Sequence, residues 1–296
     1  MLFVSPGTSY ENPVTRFTAS DSVTIEFTAY YDSQGLLENY GSRVYTPVCE
    51  GDKCYAIEID FYWDFIGRFL HYDTIPGKGL TKLDHIPFTT ADYLQLKTIL
   101  NSQNSLLASY NKEELVRDTR SSDIDGFTGA TINEIKESVI EGAVYSCYTL
   151  WHIANGPVRD NLGKTTKSLF SKELIVKLVD QEDQEINYFL INNFSEEDFK
   201  SYLPEVLEMI SDGQGYFAKN AIEKIPDGIL SDSMAQRFFA SNFNLMDYFA
   251  QVALLESLSA NFLSESMKTT LSENIDARNS YKNQLIKSLL SSEKEK

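Results

Sequence analysis

The amino-acid sequence predicts an α+β domain with an antiparallel sheet and helices, followed by an all-α domain of helical repeats. Three observations predict this. Strand-like alternation is confined to the first quarter of the chain, a Tyr-Phe motif recurs in the second half, and the 296 residues exceed the usual size of one hydrophobic core. We therefore place the first domain at residues 1–156, the repeats at residues 157–290 and a disordered tail at residues 291–296.

Four segments alternate apolar and polar residues and are rich in β-branched and aromatic side chains, which is typical of strands. They are residues 22–31, 42–49, 54–63 and 65–72. Gly35, Gly51 and Gly67 mark turns along this region. Connections this short predict an antiparallel meander or a pair of hairpins, and they argue against alternating βαβ units and a parallel sheet.

A Gly- and Pro-rich loop follows at residues 74–88, and it lies at a surface or lines a site. Helical spacing then predicts a helix over residues 91–100 behind the capping candidates Thr89 and Thr90, and a short helix within residues 111–118.

Apolar residues recur every three to four positions from Thr131 to Ala154, which predicts one long helix. The recurring positions are Ile135, Val139, Ala143, Cys147 and Leu150. Gly156 and Pro157 supply the stop and the breaker that end this helix. This stop sets the boundary between the two predicted domains.

The second half of the chain repeats a motif at Tyr188, Tyr216, Tyr248 and Tyr281, with offsets of 28, 32 and 33 residues. A near-constant period with a helix in each unit is typical of stacked helical pairs, HEAT-like in character. Each such unit leaves an apolar face bare, so its neighbours must cover it. The polar end of the chain predicts a solvated tail.

The chain carries 43 acidic and 26 basic residues, a net charge of −17, so its field repels phosphate backbones and anionic lipid surfaces. We find no basic stripe and therefore expect no nucleic-acid partner. We also expect no membrane span, because no apolar run approaches the length required, and we see no signal peptide at the start of the sequence.

Cys49 and Cys54 bracket a polar turn between two strand-like segments, which places them across the neck of a hairpin. Facing residues in such a pair lie close to disulfide distance, and a disulfide would indicate an oxidising compartment. The alternative is two reduced cysteines that fill apolar positions.

The segment Asp125-Gly126-Phe127-Thr128-Gly129-Ala130-Thr131 stands apart from ordinary packing patterns. It resembles the pattern Asp-x-x-[Ser/Thr]-Gly-Ala-Thr of the FMN-binding domain in the flavin-bearing subunits of the Na⁺-pumping quinone reductase and of the Rnf electron-transport complex. The resemblance covers roughly residues 20–156. It implies that a flavin transferase esterifies the Thr131 hydroxyl to the phosphate of FMN, beside Asp125, Thr128, Gly129 and Ala130.

A phosphate on Thr131 at the start of a long helix would meet backbone N–H groups and the positive end of the helix dipole. Thr131 and Glu134 also match the Thr-x-x-Glu pattern of a capping box, an alternative interpretation that needs no cofactor. The family places a Thr-Pro-Gly-x-Gly loop near the flavin ring, which resembles the loop with Gly77 and Gly79 here, one residue longer. Lys82 and His85 follow in this loop, where they either bind a ring edge or phosphate or hold the loop together.

Two functions follow. The first is an electron-transfer flavoprotein domain carrying FMN, an electron carrier rather than a stand-alone enzyme, with a repeat tail that docks a redox or scaffold protein. Its partners include a flavin transferase, and the family resemblance implies an extracytoplasmic, periplasmic location. The second is a protein-binding scaffold whose FMN-binding-like domain has lost its cofactor. Asn133, where the family usually carries Ser or Thr, favours the second.

Overall fold

The structure is a computed structural model, and it confirms the predicted fold class: an α+β region comes first and an all-α region follows. It describes residues 12–20, 23–50, 53–117, 130–131, 133–213, 215–276 and 278–291. By contact density the chain divides into two compact units, Met1–Leu174 and Ile175–Lys296. Each unit is described by itself below.

The sheet of the first unit has five strands in the order β1-β2-β3-β4-β5, and every neighbouring pair is antiparallel. The strands are β1 Asn12–Ser20, β2 Val23–Tyr31, β3 Leu37–Glu50, β4 Lys53–Trp63 and β5 Phe69–Thr74. The predicted meander is therefore present, with β1 as an additional edge strand. Gly35 and Gly67 lie in turns at φ +76° and +78°, a conformation that glycine adopts without strain.

One face of the sheet forms the core of this unit. Alternate residues of β2 and β4 are buried, as the period of two requires, and they include Phe27, Phe61 and Trp63. The helices α2 Val144–Asn155 and α3 Val158–Ser168 both contact the sheet. The Trp63 indole N–H donates to the carbonyl of Ala154 at 2.9 Å, so the ring is anchored as well as buried.

The helix α3 follows the predicted domain boundary at residue 156 and packs on the sheet. The Tyr40 hydroxyl of β3 and the Thr166 hydroxyl of α3 lie 2.9 Å apart, both buried. Thr166 also donates to the carbonyl of Phe65. These contacts explain why the first compact unit extends to residue 174.

The predicted continuous helix from Thr131 to Ala154 is wrong. Ala130–Thr131 forms the short strand β7, which pairs with β6 Val116–Arg117; a 3-10 turn covers Asn133–Ser138, and α2 begins only at Val144. Gly142 is the physical reason for the break, because its φ of +73° is incompatible with a right-handed helix. The five predicted apolar positions are all buried nonetheless, so the pattern predicted the core correctly and the continuity wrongly.

Two other local features complete the first unit. The helix α1 spans Thr90–Asn101 and begins at the capping box of Thr89 and Asp92, so the predicted cap at Thr89 is confirmed. The short helix predicted within residues 111–118 is reduced to the 3-10 turn Lys112–Glu114, which is followed by β6. Cys54 is disulfide-bonded and lies opposite Cys49 in the ladder, whereas Cys147 is buried and free.

The rest of the chain is helical, and no strand forms among the residues described after residue 156. The helices are α4 Lys172–Val179, α5 Gln184–Asn193, α6 Glu196–Ser201, α7 Leu203–Asp212, α8 Phe217–Ile222, α9 Asp227–Leu230, α10 Ser233–Asn242, α11 Tyr248–Ser257, α12 Glu265–Glu273 and α13 Ser280–Ser291. Across the described part of the chain, no helix combines the length and apolarity needed to cross a bilayer.

The helices of the second unit form two series. The helices α8, α11 and α13 begin at or beside the repeated Tyr motif, whereas α5 carries the motif in its interior. Each helix of this series contacts the next. The helices α7, α10 and α12 lie between them in sequence and also contact one another in order. The first residues of this second series are Leu203, Ser233 and Glu265, whose spacing repeats the period of the motif.

Candidate functional site

The loop at residues 74–88 begins with a tight turn. It holds four residues predicted to bind a cofactor: Gly77, Gly79, Lys82 and His85. The Lys78 N–H donates to the carbonyl of Ile75 at 2.9 Å, and Gly77 lies at φ +79°. A Cβ on Gly77 would meet nothing within 4 Å. The turn therefore needs glycine for its backbone conformation and not for close packing.

Tyr93 of α1 anchors the middle of this loop, and the sequence gave no warning of it. Its hydroxyl accepts a hydrogen bond from the Leu80 N–H at 2.9 Å, and its carbonyl accepts from the Tyr72 hydroxyl at 2.8 Å. A Cβ on Gly79 would lie 3.3 Å from the same Tyr93 hydroxyl. Gly79 thus lets the loop pass close to the helix.

The Lys82 side chain is held by Asp92, with 2.7 Å between Nζ and Oδ1. Asp92 also accepts hydrogen bonds from the Thr89 N–H at 2.8 Å and from the Thr89 hydroxyl at 2.7 Å. The Lys82 hydrogen bond is the largest of the effects that lower the pKa of Asp92 to about 2. Lys82 therefore ties the loop to the start of α1.

His85 lies in a strained part of the loop. Asp84 and His85 both adopt left-handed backbone conformations, at φ 56° and 60°, which cost free energy in residues other than glycine. The Leu83 N–H donates to the carbonyl of Gly142 at 2.7 Å, so the loop is fastened to the turn that precedes α2. The His85 side chain is exposed, with its ring 6.4 Å from that of Tyr55.

The motif predicted to attach a flavin is described only at its end. Ala130 and Thr131 form β7, paired with Arg117 and Val116 of β6. Asp125, Thr128 and Gly129 lie outside the described residues. Because Thr131 sits on a strand and not at the start of a long helix, the predicted help of a helix dipole for a phosphate at this position does not apply.

Several other aromatic and histidine side chains belong to the packing of the first unit. Trp63 and Phe88 are buried. The His152 ring lies 4.2 Å from that of Tyr148, and its Nε2 is 3.2 Å from the carbonyl of Leu107. Burial lowers the pKa of His152, which is the behaviour of a packed imidazole.

In the second unit, the repeated motif brings together aromatic rings of successive helical repeats. The ring of Tyr188 meets the ring of Phe217 edge to face at a centroid distance of 4.8 Å. The ring of Tyr216 meets that of Phe249 in the same way at 5.3 Å. In both cases the Tyr of one repeat contacts the Phe that follows the Tyr of the next repeat. The sequence showed the period of the motif but not this pairing.

Two buried glutamines of the second unit connect successive helical repeats. Gln236 of α10 donates to the carbonyl of Leu230 at 2.7 Å and accepts from the N–H of Ser264, the cap of α12, at 3.1 Å. Gln251 of α11 donates to the carbonyl of Phe243 at 2.7 Å and accepts from the Lys282 ammonium of α13 at 3.0 Å. Each side-chain amide thus joins its own helical repeat to the next repeat.

The described residues therefore offer two regions of interest: a loop fastened by Tyr93, Asp92 and Gly142, and a series of helices joined by matched aromatic contacts. The first holds four of the nine predicted cofactor residues. The chain matches no family model, no curated protein and no solved structure, so its function is inferred from its own residues.

Proposed function

We propose that this chain is a protein-binding scaffold whose second unit is a stack of HEAT-like helical repeats that docks a partner protein. The observation that carries the proposal is the repeated aromatic contact, in which Tyr188 meets Phe217 and Tyr216 meets Phe249. Equivalent positions make equivalent contacts, as stacked repeats require.

The physical basis is the way in which repeats cover one another. Phe217 and Leu254 are fully buried, and they lie on the adjoining helices α8 and α11. The apolar face of one repeat is therefore covered by the neighbouring repeat, and stability is distributed along the stack. Such a stack displays an extended, ordered surface, which suits recognition of another protein more than small-molecule chemistry.

A photo-crosslinking experiment tests this proposal. A benzophenone amino acid is placed in turn at Tyr216 and at Met234, which are exposed on the two series of helices, and at Tyr45 of the sheet, which is more exposed than either, as a control. Irradiation in the source cells should give a discrete product with a second protein from Tyr216 or Met234 and not from Tyr45. The scaffold proposal fails if neither helical position gives a product.

A second candidate function is supported by the seven-residue match that ends at Thr131. We propose it as an electron carrier with FMN esterified to the Thr131 hydroxyl by a flavin transferase, in an extracytoplasmic location that agrees with the disulfide at Cys54. Bound FMN would supply the redox chemistry. The described residues add little, because Lys82 is paired with Asp92 and Thr131 is not at a helix start. The support is the motif itself.

The mass of the intact protein separates the two candidates. Co-expression with a flavin transferase should add the mass of one FMN residue to the wild type and none to Thr131→Ala. Thr131→Ser keeps an acceptor hydroxyl at the same position and should still gain mass, so it controls for general disturbance of the segment. An unchanged wild-type mass would rule out the electron-carrier function and leave the scaffold function intact.

A further inference from the structure

Four aromatic side chains of the repeated motif remain exposed on the second unit: Tyr216, Tyr248, Phe249 and Tyr281. We call them the aromatic strip. Their exposed fractions are 59%, 43%, 49% and 48%, whereas Phe217, the neighbour of Tyr216, is fully buried. The motif therefore directs some of its rings into the stack and others toward solvent.

The strip runs across three helices of one series. Tyr216 directly precedes α8, Tyr248 begins α11, and Tyr281 is the second residue of α13. The rings of Tyr216 and Phe249 are 5.3 Å apart, and those of Phe249 and Tyr248 are 5.6 Å apart. Contiguous exposed aromatic residues are uncommon on a monomer surface and mark interaction sites.

Charges around the strip indicate which partner it suits. From residue 175 onward the chain has 20 acidic and 11 basic residues. Asp247 precedes Tyr248, and Glu256 accepts a hydrogen bond from the Tyr281 hydroxyl. Two lysines of this part of the chain are engaged within the second unit, Lys219 with Glu223 and Lys282 with Gln251.

The effect of this charge is visible on the strip itself. The hydrogen bond to Glu256 and the charge of that carboxylate raise the pKa of Tyr281. Asp247 caps α11 by accepting from the Ala250 N–H at 2.9 Å, which offsets the positive end of that helix. An anionic partner or a second copy of this acidic chain would be repelled here.

We propose that the aromatic strip binds a basic, extended peptide segment of the partner protein, with its Lys and Arg side chains lying over the aromatic rings. Cations are attracted to the faces of Tyr and Phe, and the alkyl stems of Lys and Arg cover the apolar surface. The acidic surroundings add a longer-range attraction that salt screens. This inference rests on the scaffold function and names the surface and the chemistry of its partner.

Binding of three labelled peptides to the full chain tests the inference. The probes are fluorescein-labelled peptides of repeated Arg-Gly-Leu-Gly units and two matched versions in which Glu or Gln replaces Arg. The variants are Tyr216→Ser with Phe249→Ser, the milder Phe249→Leu, and Tyr45→Ser as an exposed tyrosine outside the strip. Circular dichroism and thermal unfolding verify that each variant is folded.

The Arg peptide should bind the wild type and Tyr45→Ser equally, and it should bind the double variant about tenfold more weakly. Phe249→Leu keeps the apolar area without a ring face, so it should also weaken binding, by about threefold. Binding should weaken as the salt concentration rises, and the Glu and Gln peptides should bind less well.

Three results would overturn the inference: equal binding of the three peptides, Arg-peptide binding that the double variant leaves unchanged, or sedimentation showing that the strip joins two copies of the chain. The scaffold function has a separate readout. Crosslinking to a partner from Met234 alone would retain the scaffold and remove the strip, and no crosslinking from either helical position would remove both.

Discussion

At the scale of single residues, Asp92 connects the candidate loop to the first helix. Its carboxylate caps α1 through Thr89 and pairs with Lys82, so one side chain fixes both the helix start and the loop. The Thr-x-x-Asp capping pattern is readable in the sequence, whereas the pairing with Lys82 depends on how the loop folds back. This is why Lys82 could be predicted as a loop residue but not assigned its partner.

Asp92 predicts a specific pH dependence. Its pKa falls from 3.8 to about 2 in the folded chain, so its stabilising contribution is present above about pH 4 and is lost as the pH falls from 3.8 toward 2. Urea unfolding of the wild type and Asp92→Asn should show a stability difference that is constant above this range and shrinks within it. Lys82→Met removes the main cause and should move the loss to higher pH. A difference that persists unchanged at pH 2 would contradict this assignment.

Gly67 and Gly35 form a matched pair of turn glycines that separates two sources of strain. Both have positive φ, but a Cβ on Gly67 would lie 2.6 Å from the Arg159 Cα, whereas one on Gly35 would meet nothing within 4 Å. We expect Gly35→Ala to cost about 1 kcal/mol from the backbone conformation alone. Gly67→Ala should cost about 3 kcal/mol, because α3 must also shift. Equal losses in chemical denaturation would show that α3 does not pack against this turn.

At the scale of elements, alternation predicted β2 to β5, because one buried face imposes a period of two. The edge strand β1 was missed: Pro13 breaks the usual strand pattern, and an edge position tolerates it. Helical periodicity identified the buried residues of segment 131–154 but not the interruption at Gly142, because a turn followed by a helix can bury the same positions. The sequence showed the period of the repeats. The contacts between successive repeats join residues distant in sequence, so they could be identified only from the folded structure.

The hairpin of β3 and β4 makes a countable prediction. Cys54 is disulfide-bonded and Cys147 is free, so thiol titration of unfolded, unreduced protein should find one thiol and not three. Since the loop closed by a cross-strand bond here is short, reduction should lower the free energy of unfolding by only about 2 kcal/mol. Three reactive thiols before reduction would contradict the bond.

The buried glutamines predict how strongly neighbouring repeats depend on one another. Gln236→Leu leaves the Leu230 carbonyl and the Ser264 N–H without this partner, so it should lower the free energy of unfolding by about 2 kcal/mol. Gln181→Leu is the control, because Gln181 is exposed and bonds only locally to the Lys177 carbonyl. If urea denaturation shows equal losses of unfolding free energy for the two variants, the amide of Gln236 does not join successive repeats as described.

At the scale of the whole molecule, the chain combines a sheet unit that holds a fastened loop with a helical unit built from a repeated motif. The fold class followed from the sequence because period and composition change along the chain. The proposed scaffold function is supported by contacts between equivalent positions, and the proposed flavin function is supported by the motif that ends at Thr131. These two proposals concern different units and can be tested separately.

The coupling between Tyr216 and Phe249 tests the stacked-repeat account most directly. In a double-mutant cycle on unfolding with Tyr216→Ala and Phe249→Ala, the edge-to-face contact should give a coupling free energy of about 0.5–1.5 kcal/mol. The cycle of Tyr216→Ala with Met234→Ala, for which no ring contact is expected, should give a coupling near zero. Additive losses in the first cycle would contradict the claim that matched aromatic contacts join successive repeats.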